Sequence, residues 1–128
     1  MDKFKSFWKN RNYNAIYQEL KKSNYEYTLD NFDKDFSKID SSNKFCFLIY
    51  LLSNDFCVNN VLLLLDFLTY TDTFFYDIHP VIRMISDLAL SKFPSEARIL
   101  NWIICTYEGH PDSPFTEQEI CLYKSLLS

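Results

Sequence analysis

Glycine is almost absent from this chain: Gly109 stands alone among 128 residues. Glycine lets backbone approach a phosphate closely or take a positive φ. Without it there is little material for phosphate-cradling loops, type I′ hairpins or glycine-rich nucleotide fingerprints. Histidine is nearly as scarce, with only His79 and His110. Neither falls in an H-x-x-x-H, H-E-x-x-H or C-x-x-C…H pattern, the spacings that gather metal ligands, so no metal and no cofactor is expected. The four cysteines, Cys46, Cys57, Cys105 and Cys121, include no C-x-x-C pair. Each sits in or beside an apolar run, as a free buried thiol would. No long apolar segment is unbroken either. The stretch from Phe45 to Leu68 is interrupted by Ser53, Asn54, Asp55, Asn59, Asn60 and Asp66. A bilayer span needs about 20 nearly continuous apolar residues, so this stretch reads as two buried elements. The opening Met-Asp-Lys-Phe-Lys lacks the apolar core of a secretory leader, and a cytoplasmic chain is expected.

What the chain has in abundance is aromatic rings: 12 Phe, 9 Tyr and 2 Trp. Apolar residues reach 48% and charged residues 23%, enough burial potential to offset the entropy of folding, so disorder is not expected. The length fits one domain spanning 1–128. Charge is unevenly spread. Residues 1–44 hold nine Lys/Arg against seven Asp/Glu, a net of +2, whereas 45–128 hold four against ten, a net of −6. That acidic excess disfavours nucleic acid as a direct ligand and favours a basic protein partner.

The periodicity predicts an all-α fold, an irregular bundle of seven or eight helices with stacked helical hairpins as one arrangement. Short amphipathic helices are expected over Lys3–Asn10 and Tyr13–Lys22. Leu29, Phe32, Phe36 and Ile39 form one helical stripe, with Asp30 and Lys34 in the favourable acid-before-base order opposite it. Ser41 or Ser42 is placed to cap a helix through Phe45–Leu52, and Val58–Tyr70 follows. Both are apolar nearly all round, and a buried strand stays open for each, since aromatic and β-branched residues suit either. Helix resumes near Asp77 with Pro80 in its first turn and a stripe of Ile78, Ile82, Ile85, Ala89 and Phe93, widened by Val81 and Leu88. Ser95 is expected to cap Glu96–Glu108, with Gly109 closing it in the left-handed region. Thr116-Glu-Gln-Glu119 reads as a capping box for the last helix, whose buried face is Ile120, Tyr123 and Leu127.

No spacing nominates a catalytic residue, and no enzyme is expected. There is no G-x-S-x-G, and the carboxylate pairs Asp33/Asp35 and Glu117/Glu119 read as a solvated helix face and a helix start. Asp66, after four leucines, reads as marking the wet strip of its helix beside Asn59 and Tyr70. The N-terminal Lys3, Lys5, Lys9 and Arg11 beside Phe7 and Trp8 read as a solvated face. Two patches fit partner binding. Phe74, Phe75 and Tyr76, between Asp72 and Asp77, suit aromatic anchors ringed by acid, although the same rings suit plugs folded back into a core. Glu108 and Asp112, beside the 109–115 loop, form the second.

A small, acidic, ring-rich, glycine-poor chain of this kind, with heavy Lys/Asn/Phe/Tyr/Ile usage, resembles the immunity proteins of contact-dependent growth-inhibition and other polymorphic toxin systems. The resemblance lies in size and composition across the whole chain and not in a motif. It implies a protein that binds a cognate toxin, basic and of nuclease type, and blocks its active site or substrate groove. Asp72, Phe75, Tyr76, Asp77, Glu108 and Asp112 would then carry the contact. The same usage also resembles virally encoded helical adaptors of the Bcl-2-like kind, which would imply a partner helix held in an apolar groove.

Overall fold

The structure is a computed structural model that describes residues 2–24, 26–71 and 77–128. Among the described residues it holds eight α-helices and no strand. The chain gathers into two compact units, residues 1–74 and 75–128.

The N-terminal unit contains α1 (Asp2–Lys9), α2 (Tyr13–Lys22), α3 (Leu29–Asp35), α4 (Ser41–Asn54) and α5 (Val58–Tyr70). The two apolar runs are therefore helices, not strands. α1 packs on α2, α2 on α4, α4 on α5, and α3 on α5. The stripes that put rings three, four and seven residues apart bury them together. Trp8, Phe32, Phe36 and Phe47 are all at most 5% exposed. Trp8 meets Phe36 at 5.1 Å and Phe47 at 5.3 Å edge to face, and Phe32 lies parallel to Phe47 at 6.2 Å. Rings pack this way because the positive edge of one faces the negative face of the next. The buried Trp8 indole N–H has no hydrogen-bond partner among the described residues.

Polar groups fix where these helices start. Asn12 accepts from the Ala15 N–H at 3.2 Å and Thr28 from the Asn31 N–H at 3.4 Å. Asp40, not Ser41 or Ser42, caps α4, its Oδ1 accepting from the Asn43 N–H at 2.8 Å. A charged acceptor makes the stronger bond to an orphan N–H. This cap needs extended backbone at Asp40 (ψ 157°), so α3 cannot run on into it. The helix stops at Asp35, and Phe36 leaves helical geometry at φ −123°, one turn earlier than the Leu29-to-Ile39 stripe implies. Asn43 then anchors α1, donating to the Trp8 carbonyl at 3.0 Å and accepting from the Tyr13 hydroxyl at 2.6 Å. The shortage of glycine is met by other residues: Arg11 (φ 52°) and Asn24 (φ 50°) take the left-handed turns that end α1 and α2.

Several surface readings change. No ion pair joins Asp30 to Lys34 among the described residues. Asp33 accepts from the buried Lys44 at 3.2 Å, and Asp35 accepts from the Tyr27 hydroxyl at 3.2 Å, so this pair is engaged in packing and not merely solvated. Asp66 is half-buried and engaged.

The C-terminal unit contains α6 (His79–Lys92), α7 (Ala97–Tyr107) and α8 (Glu117–Leu126), with α7 packed against both others. Its core is Ile82, Ile85, Ala89, Ile99, Leu100, Ile103, Tyr107, Phe115, Ile120 and Tyr123. Leu88 stays outside that stripe, 55% exposed, and Leu127 is only half-buried. Glu96, not Ser95, caps α7 by accepting from the Arg98 N–H at 3.2 Å. Gly109 takes φ +74° after α7, and both halves of the Thr116–Glu119 capping box are present. All four cysteines are free, but none is fully buried: Cys46 and Cys57 are half-buried, and Cys105 and Cys121 are exposed.

Candidate functional site

The C-terminal unit has the larger acidic excess, seven Asp/Glu against four Lys/Arg, and holds both histidines. At the start of α6, the N-cap residue Ile78 has no side chain to offer, so Asp77 takes over. Its Oδ1 accepts from the His79 N–H at 3.0 Å and lies 3.2 Å from His79 Nδ1. Pro80 needs no partner in that first turn. One carboxylate thus fixes both the helix start and the imidazole.

The 109–115 loop is held just as closely. The His110 N–H donates to the Tyr107 carbonyl at 3.0 Å, and the Ser113 N–H to the His110 carbonyl at 3.2 Å. The Asp112 N–H donates to His110 Nδ1 at 3.1 Å. Ser113 Oγ both accepts from the Phe115 N–H and donates to the Phe115 carbonyl. These bonds set His79, Tyr107 and His110 in a triangle of rings, with centroids 5.5–5.8 Å apart.

Arg83, one turn into α6, ties the neighbouring segments together. Its Nη1 donates to the Pro114 carbonyl at 2.9 Å and to Glu119 Oε1 at 2.8 Å, and Nη2 donates to Glu119 Oε2 at 2.5 Å. Nε reaches both oxygens of Asp87, and the guanidinium lies 5.0 Å from the Phe115 ring centre. The planar fork suits this bidentate pairing in a way a lysine could not. The guanidinium holds the Glu119 carboxyl below its usual range, with the Thr116 backbone adding to the effect. A carboxylate whose folded-state pKa is depressed contributes stability above its unfolded value and loses it as pH falls through the folded one. The C-terminal unit should therefore weaken below about pH 4.5, the ordinary carboxylate value. Glu119→Gln is expected to lower stability at neutral pH and to flatten the acid limb of a pH-dependent urea titration. A limb of unchanged slope would contradict this linkage.

Of the residues chosen from sequence, Asp77 and Asp112 come together. Both line one shallow, open depression with His79, Pro80, Arg83 and Pro111. Glu108 does not join them; it pairs with Lys124 and borders a second depression beside Gly109 and Phe115. Asp72, Phe75 and Tyr76 lie outside the described residues. The histidine–tyrosine triangle and the Arg83 hub were not anticipated. Two signals were available: both histidines occur as His-Pro dipeptides, and Arg83 is the only Lys or Arg between Lys44 and Lys92.

The arrangement does not suit a metal. His110 Nδ1 is occupied by a backbone N–H and Asp77 Oδ1 by another. No group of three His, Cys, Asp or Glu among the described residues is placed to hold an ion. Nor is any described helix long and apolar enough to cross a membrane. What the site offers is a stiff surface with exposed carboxylates. No protein-family model matches this chain, and no curated protein or solved structure matches it either.

Proposed function

We propose that the chain is a stoichiometric inhibitor of the immunity type, which binds a basic toxin domain of nuclease class through the acidic face at Asp77 and Asp112. The supporting observation is the convergence of these two exposed carboxylates in one depression, on a loop and a helix start that are held by local hydrogen bonds. A pre-ordered surface loses little side-chain freedom on binding, so more of the contact energy survives as affinity.

Charge accounting in the C-terminal unit points the same way. Residues 75–128 hold four Lys/Arg and seven Asp/Glu. Arg83, Arg98 and Lys124 each have a carboxylate within 4.0 Å, which leaves Asp112 and Glu117 with no cationic side chain that close among the described residues. Carboxylates left over in this way resemble the phosphates that a nuclease groove is built to receive, and they accelerate encounter with a basic surface. His79 and His110, each followed by proline, hold their rings close to these carboxylates, while Tyr107 is buried against both. Glu108 is bound to Lys124 and belongs to the rim of this surface.

The test is co-expression with the toxin domain encoded directly beside this gene. Protection of the host from growth arrest, with a 1:1 complex recovered, is expected. Unrelieved toxicity in the presence of folded, soluble chain would refute the proposal.

A further inference from the structure

Within the N-terminal unit, one part of the surface carries the opposite chemistry. Because α3 stops at Asp35, the turn through Phe36–Ile39 leaves an open groove of about 520 Å³ beside α1. Its apolar wall is Phe4, Trp8, Phe36 and Ile39. Three lysines border it: Lys5 from α1, Lys34 from α3, and Lys38 from the turn. All three are exposed, and none has a carboxylate within 4.0 Å among the described residues, although Lys3, Lys22 and Lys44 nearby do. The one carboxylate on the groove, Asp35, is engaged by the Tyr27 hydroxyl. The basic excess of the first third of the chain is therefore focused around a floor of rings.

We infer that this groove docks an acidic amphipathic segment of another protein, with a bulky apolar side chain against Phe4 and Phe36 and carboxylates on Lys5, Lys34 and Lys38. The inference goes beyond the toxin-binding face and does not depend on it, since every residue lies in the N-terminal unit. Charge complementarity selects the occupant: an apolar floor alone would accept any greasy side chain, but three uncompensated ammonium groups favour one flanked by Glu or Asp. Rings beneath the contact exclude water and strengthen each ion pair relative to one at an open surface. A long polyanion fits less well. It would meet exposed Asp30, one turn before Lys34 on α3, whereas a short segment can place its acids at the lysines alone. The volume lies within the range of pockets that enclose a few side chains.

The full chain carrying Trp102→Phe leaves Trp8 as the sole tryptophan, and Trp8 is part of the groove wall. The probe is a synthetic helical peptide with Leu and Phe at i, i+3 and i+4 and Glu on the flanking positions. A saturable change in Trp8 emission is expected, shifted about tenfold or more to higher peptide concentration by Lys5→Glu, Lys34→Glu and Lys38→Glu together. These are surface positions, and an unchanged circular-dichroism melt will show that the fold is retained. Phe4→Ala should weaken the same titration without altering its salt dependence. The inference is overturned if the charge-reversed chain titrates identically, or if a Lys-for-Glu peptide binds equally well. It is equally overturned if anionic vesicles or single-stranded RNA shift the emission while the peptide does not. Concentration-dependent emission without peptide would assign the groove to a second copy and overturn it too. Loss of host protection with intact peptide binding would count against the toxin-binding reading alone.

Discussion

Replacing Phe47 with alanine should lower the stability of the N-terminal unit by about 3–5 kcal/mol, the usual range for truncating a fully buried ring. Phe47 is 0% exposed and stands where three other elements meet. It contacts Trp8 of α1 at 5.3 Å, Tyr13 of α2 at 6.2 Å and Phe32 of α3 at 6.2 Å. Alanine would leave a cavity walled by rings, and flat stiff rings collapse poorly into empty space. It would also forfeit the aromatic pairings, worth about 0.5–1.5 kcal/mol each beyond area. Phe47→Leu keeps much of the volume and should lose about 1–2 kcal/mol. Urea unfolding of both variants in the Trp102→Phe background, followed by Trp8 emission, gives the comparison. A loss under 1 kcal/mol for alanine would mean that the rings are not the framework of this unit.

Arg83→Met should cost the C-terminal unit about 2 kcal/mol, a value set by charge-assisted hydrogen bonds that are partly screened by solvent. The guanidinium is about one-third exposed, yet it serves Glu119, Asp87 and the Pro114 carbonyl at once. Methionine keeps part of the apolar stem and removes the fork, and with it both the charged bonds and the guanidinium's contact with the Phe115 ring. Arg83→Lys should recover less than half of the loss, because one ammonium cannot bridge both Glu119 oxygens and still reach the loop. The companion readout is the 109–115 loop. With its Pro114 anchor gone, amide exchange at Asp112 and Ser113 should quicken more than exchange within α7. Full rescue by lysine would show that charge alone matters at this position.

These expectations also mark what the amino-acid sequence disclosed. Helix content was legible because aromatic and aliphatic residues recur at helical spacing; Tyr13–Lys22 and Val58–Tyr70 end where the pattern ends. Caps were harder. Asp40, Ser41 and Ser42 all offer acceptors, and which one wins depends on the backbone turn entering the helix, a tertiary matter. The same competition moved the α7 cap from Ser95 to Glu96. The end of α3 was missed because Phe36 and Ile39 stay on the apolar side as turn residues, so hydrophobic periodicity outlasts the helix. Of the candidate site, the acidic excess and the residues Asp77 and Asp112 were visible, but not that they meet, because 34 residues of chain separate them. His79 and His110 lack ligand spacing, and a proline after each does not by itself bring their rings together across 30 residues of chain. The lysine groove was hidden for a related reason. Lys5, Lys34 and Lys38 each look like ordinary solvated charge, and only the early stop of α3 sets them around one opening.

The central claim is that the acidic face of the C-terminal unit binds a basic protein. Titration calorimetry of the chain against the purified basic toxin domain that protects in the co-expression test, at low and physiological salt, is the direct measurement. Asp77→Lys with Asp112→Lys should raise Kd by about 100-fold or more and abolish most of the salt dependence, as expected when two complementary charges are reversed at an interface. An affinity and salt slope indistinguishable from those of the unaltered chain would contradict it.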